Sequence, residues 1–143
     1  MMHVLTKGRL PSGIQELDLL QACLIATRLA KRETVGQVGI SFISDAEMQK
    51  LNRIYRKKNK TTDVLSFPEP EIPGKRQSWG DIFVSTTYVR GEAKRRGIAL
   101  QEEVLRVVIH GMLHLMGYDH VTDEEEMAMF TLQEKALAKL VDL

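Results

Sequence analysis

Apolar residues along the chain recur with two periods, one of two residues and one near 3.6, and the order of these runs predicts the elements. A short strand is expected at Met2 to Leu5. Ser12 and Gln15 read as a capping-box pair, and Ile14, Leu17, Leu20 and Leu24 follow at helical spacing, predicting an amphipathic helix to about residue 31. QVGISFI, residues 37–43, alternates so that Val38, Ile40 and Phe42 face one way, as in a half-buried strand. Ser44 and Glu47 then cap a second helix that ends near a basic cluster. TDVLSF, 62–67, reads as a strand stopped by Pro68, and GDIFVST, 80–86, as another.

Between those two strands, EPEIPGKRQSW has the prolines and glycine of a surface loop. Residues 86–96 read as a helix halted at Gly97, and 100–116 as an unusually apolar helix terminated by Gly117. Thr122 and Glu125 cap a last helix reaching Leu140. The pattern predicts one α+β domain over 1–143, a small mixed sheet of about four strands packed with about five helices, the 100–116 helix central.

Composition narrows the function classes. The 143 residues, 43% hydrophobic and 27% charged, are those of a globular chain. MMHVLTKGRL is too polar for the core of a signal peptide and no run is long enough to span a bilayer, so a cytoplasmic protein with no membrane partner is expected. One cysteine, Cys23, excludes an internal disulfide and a cysteine-rich zinc cluster, and reads as a buried apolar residue. The net charge of +1 is less informative than its distribution. Arg53, Arg56, Lys57, Lys58 and Lys60 crowd together, as do Lys94, Arg95 and Arg96, while acidic residues gather at 123–126.

IHGMLHLMGYDH, 109–120, holds three of the four histidines, and His3 stands apart in a polar terminus. Residues four apart share one helix face, so His110 and His114 can aim at one point, and the turn after Gly117 can bring back His120. Buried histidines satisfied by ordinary hydrogen bonds are the bland alternative. A divalent cation would satisfy all three imidazoles together, and three such ligands with a fourth position open describe a catalytic rather than a structural zinc site. Gly111 stands where an HExxH peptidase carries its glutamate, which argues against ordinary zinc proteolysis.

HGMLHLMGYDH closely resembles the signature of the YbeY family of metal-dependent endoribonucleases in bacterial rRNA maturation, and LNRIYRKKNKTTDVLSFP and WGDIFVS resemble its other blocks in order. The resemblance covers most of the chain after about residue 37. It implies a zincin-like α+β domain and one zinc per chain on His110, His114 and His120, at the C-terminal end of the apolar helix. It also implies an arginine matching Arg56 in the active-site cleft. The implied substrate is RNA, above all the 3′ end of small-subunit 16S rRNA, with a role in ribosome quality control and the ribosome as partner. Thr61, where the family usually has proline, is a departure expected to loosen the turn into the strand.

These residue types suit that chemistry. A guanidinium forks onto two phosphate oxygens as a lysine cannot, so Arg56, with His110 and His114, is the expected catalytic set. Lys57, Lys58, Lys60 and the run Lys94 to Arg96 are expected to line a backbone track, although a solvated face would also account for them. Asp119 reads as a turn former or a partner orienting a ligating imidazole, and Tyr118 as packing. Asp63, Ser66 and Asp81 are cleft walls or structural hydrogen-bonders. Two other readings stand: a zinc peptidase with an unconventional base, and a non-catalytic ribosome-associated RNA-binding factor with a structural metal.

Overall fold

The computed structural model describes residues 1–70 and 78–141. Val38, Ile40 and Phe42 are buried along strand β2 (Gly36–Ile43), an interior strand, as their alternation requires. β1 (Met2–Lys7) pairs parallel with β2 on one side and β4 (Ser78–Ser85) parallel on the other. β3 (Val64–Pro68) runs antiparallel to β4, giving a mixed sheet of order β1-β2-β4-β3 with β3 at an edge. The helices are α1 (Glu16–Leu29), α2 (Asp45–Arg56), α3 (Thr86–Arg96), α4 (Leu100–Leu115) and α5 (Asp123–Val141).

Local chemistry sets the helix ends. At α2, Ser44 Oγ accepts from Glu47 N at 3.2 Å and the Glu47 carboxylate accepts from Ser44 N at 3.4 Å, the reciprocal box expected there. α3 stops at Gly97 with φ 69°, and the chain leaves α4 through Gly117 with φ 98°, left-handed positions that favour glycine. Thr122 Oγ1 accepts from Glu125 N at 3.1 Å, and four acidic residues in the first turn of α5 face the positive end of its dipole.

α4 is the hub, packed on α1, α3, α5 and strands β3 and β4. Val104, Val108, Ile109 and Met112 are fully shielded. Each side chain of that kind contributes about 1.5–3 kcal/mol when removed from water, so α4 and the histidines it carries are held stiffly. Among the described residues no helix is long and apolar enough to cross a membrane.

Several boundaries differ from expectation. Ser12 does not cap α1: Ile14 N bonds Pro11 O at 3.1 Å and Gly13 takes φ 82°, so 11–14 form a tight turn. Gln15 is the N-cap, its N–H bonded to Asp18 Oδ2 at 2.8 Å. The buried face of α1 is Leu19, Ala22, Cys23, Ala26 and Thr27, while Leu17 is 57% exposed. Of the expected stripe, Ile14 is core and Leu20 and Leu24 pack half-buried against it, so only Leu17 turns away, while the small residues let α1 pack on α4 and α5. β1 runs two residues past Leu5. β3 begins at Val64 because Asp63 Oδ1 turns back to accept from Val64 N at 2.8 Å, and it ends as expected at Pro68, its last rung, opposite Gly80. β4 begins at Ser78, so Ser78 and Trp79 leave the expected loop; residues 71–77 of that loop lie outside the described residues.

Candidate metal centre

The last two turns of α4 and the turn beyond Gly117 bring His110, His114 and His120 together, with one ring nitrogen of each within 4.8 Å of the others. His110 Nε2 and His114 Nε2 are 3.1 Å apart. Two nitrogens each about 2.1 Å from one tetrahedral zinc would be separated by roughly 3.4 Å, so the spacing fits a shared cation. The orientation of His110 fits too. Its Nδ1 lies 2.7 Å from Gln133 Oε1, and since an amide oxygen only accepts, the proton sits on Nδ1 and Nε2 keeps its lone pair for a metal. Burial, then the neighbouring His110 and His120 rings, lowers the pKa of His114 and favours the neutral, ligating imidazole. His3, on β1, is exposed and remote in sequence.

Gly111 has a packing reason. A Cβ built there would stand 2.8 Å from Ile82 Cγ2 and 3.1 Å from Ser66 Oγ. Position 111 therefore presses on β3 and β4, and the site lacks a peptidase glutamate because the sheet occupies its place.

The histidines open into a cleft of ≈ 670 Å³ whose wall includes Arg56, Lys58, Lys60, Asp63 and Ser66. Arg56 is the last residue of α2, and Lys57 makes the left-handed exit with φ 58°. The Arg56 guanidinium donates from Nη2 to Ser66 O at 2.9 Å and stacks 5.0 Å from the Phe67 ring, which aims it across the cleft. Lys57 is not among the cleft residues, and neither is the run Lys94 to Arg96. Arg95 pairs with Glu92, and Arg96 donates to both carboxylate oxygens of Glu103 at 3.2 and 2.8 Å; of the expected track, Lys58 and Lys60 line the cleft beside Arg56.

The lesser expectations sort cleanly. Asp119 Oδ1 accepts from His120 N at 2.7 Å, shaping the turn, and Tyr118 packs against the core while edging the cleft. Asp63, its carboxyl pushed above the ordinary range by burial, and Ser66 are cleft walls; exposed Asp81 is not. Thr61 donates from Oγ1 to Asp45 Oδ1 at 3.1 Å, which ties its turn to the start of α2.

Two buried polar residues escaped sequence reasoning. Asn52 Nδ2 donates to Lys60 O at 2.8 Å and Asn52 O accepts from Lys58 N at 3.2 Å, pinning the basic loop beside the cleft. Gln133 orients His110, as above, and donates from Nε2 to Glu134 Oε2 at 3.1 Å; Glu134 in turn accepts from Arg106. Each had a signal: Asn52 follows Met48, and Gln133 follows Met129, at the i, i+4 spacing of a buried stripe where an unpaired amide would be costly.

Known proteins resemble the whole arrangement. The family model described as Endoribonuclease YbeY matches residues 14–141. An endoribonuclease YbeY of Sulfurihydrogenibium sp. is 43% identical over 73% of this chain and 70% of its own length, and one of Aquifex aeolicus is 41% identical over 73% and 70%. That of Francisella philomiragia is 33% identical over 89% of this chain and 84% of its own. The solution structure of a Thermotoga maritima protein superposes with a TM-score of 0.64 at 29% identity, covering 96% of this chain and 89% of that one. With the family model spanning strands β2 to β4, all five helices, the basic cleft and the histidine cluster, the chain belongs to the endoribonuclease YbeY family.

Proposed function

We propose that this protein is a zinc-dependent, single-strand-specific endoribonuclease that matures the 3′ end of 16S rRNA and serves ribosome quality control. The observation that carries the reading is the opening of three clustered imidazoles and Arg56 into one basic cleft. His110, His114 and His120 would hold the ion, with Gln133 keeping His110 in the ligating tautomer. Zinc held by three imidazoles supplies a Lewis acid and brings the pKa of a water close to 7. Arg56 places permanent charge where the equatorial phosphate oxygens gain theirs, held in aim by Ser66 O and Phe67. Lys58 and Lys60 neutralise flanking phosphates of a flexible strand. The rRNA and ribosomal assignments rest on the family to which the chain belongs.

The test is cleavage of an end-labelled single-stranded RNA by protein of known metal content. Cleavage should stop with chelator, return with zinc, and fall about a hundredfold in Arg56→Ala, the usual cost of losing one preorganised donor to transition-state charge. Arg56→Lys should recover part of it. RNA binding without turnover in fully metallated protein would instead establish the non-catalytic reading.

A further inference from the structure

A second cavity, ≈ 360 Å³, adjoins the same histidines between α3, α4 and α5, and shares Asp63, His110 and His120 with the basic cleft. Its electrostatics are opposite in sign. Asp63, Glu92, Glu103 and Glu126 face only two guanidiniums, Arg96 and Arg106. Both are already committed to Glu103, Arg96 Nη1 at 2.8 Å from Oε2 and Arg106 Nη1 at 3.0 Å from Oε1. A phosphate entering here would find no uncommitted cationic side chain, so the cavity does not continue the backbone track.

What the cavity does offer is an apolar wall, with Val107 and Met129 at its floor and Phe130 beside them. Val107 and Met129 are core residues, whereas Phe130 is 57% exposed and contributes little to the core. An accessible aromatic ring, an apolar floor and the Asp63 and Glu126 carboxylates, neither of them in the ion pairs with Arg95, Arg96 and Arg106, match a flat heteroaromatic ring bearing N–H donors. The pairing of the two cavities matters as much as their contents. A polynucleotide crossing the histidines carries phosphates and bases on alternate sides of its sugar chain, and here a basic cleft and an acidic, aromatic one meet at the same centre.

The geometry points to this second cavity as the seat of one nucleobase, that of a nucleotide flanking the scissile phosphate, stacked on Phe130. The inference rests on the endoribonuclease reading and adds a specificity element to it. At ≈ 360 Å³ the cavity admits a single base or nucleoside rather than a longer segment.

A cycle on protein and substrate tests it. Zinc-loaded wild-type protein and Phe130→Ala are each given one short single-stranded RNA, intact or with an abasic residue at one position at a time around the cut. Wild type should lose about 5- to 150-fold in kcat/KM at one flanking position, the range that stacking of one base on an aromatic side chain provides. Phe130→Ala should show the same loss on intact RNA, no further loss when that base is absent, and unchanged zinc content; Phe130→Trp should restore cleavage. Additive losses from the two changes, or wild-type cleavage of intact RNA by Phe130→Ala, would overturn the subsite while leaving the nuclease reading in place. Failure of the wild type to cleave intact RNA would overturn both.

Discussion

Restoring the peptidase pattern by Gly111→Glu should damage the fold rather than create a protease. The first carbon of the new side chain would lie 2.8 Å from Ile82 Cγ2, 3.2 Å from Ile82 Cδ1 and 3.1 Å from Ser66 Oγ. Forcing a methylene into such a contact costs about 1–3 kcal/mol. Burying part of a carboxyl group with no built partner costs roughly 2–3 kcal/mol more. The better helix propensity of glutamate returns only about 0.5 kcal/mol. The expected loss is about 3–5 kcal/mol, a large part of the 5–15 kcal/mol typical of a domain. With a urea m-value of about 2 kcal/mol/M, the unfolding midpoint should fall by about 1.5–2.5 M. Urea titration followed by circular dichroism measures it directly, and a casein assay on the folded fraction should stay blank. A Gly111→Glu protein that unfolds at the wild-type midpoint would refute the reasoning, because the side chain would then have a clear path into the cleft.

Other outcomes follow from single contacts. Gln133→Leu keeps the volume and removes the acceptor of His110 Nδ1, so zinc affinity, read by chelator competition, should weaken about 10- to 100-fold. Lys58→Ala with Lys60→Ala should flatten the salt dependence of RNA affinity by roughly 0.7 log units per lost phosphate contact, and Lys57→Ala, outside the cleft, should leave the slope alone. Cys23 is fully buried with its thiol pushed up to about 12, so a thiol reagent at pH 8 should label it only as fast as the protein unfolds globally. Rapid labelling of the folded protein would place Cys23 in a locally opening segment.

Elements whose signals are local were legible from the chain alone. β2 follows from its alternation, α3 and α4 from the glycines that stop them, and the cluster of His110, His114 and His120 from helical spacing plus one turn. What the sequence hid depends on distant partners. Leu17 reads as core until the close seat of α1 on α4 and α5 selects the smaller residues beside it. The reason for Gly111 lies in Ile82, and the tautomer of His110 in Gln133, 23 residues further on. Arg96 looked like one population with Lys58 and Lys60 because its neutralisation by Glu103, on the next helix, is a tertiary event, whereas the pairing of Arg95 with Glu92 one turn earlier on α3 was there to be read.

The edge strand has a further consequence. Ser85 N bonds Asp63 O and Glu69 N bonds Trp79 O, so by antiparallel alternation Val64, Ser66 and Pro68 turn their backbone groups outward from the sheet. A polypeptide bound in the manner of β-augmentation would need those groups as its ladder. Pro68 has no N–H to donate, and the Ser66 carbonyl is taken by Arg56. The Arg56 guanidinium thus also blunts the edge, barring an extended peptide from the rail beside the histidine cluster and guarding against strand-to-strand aggregation between copies.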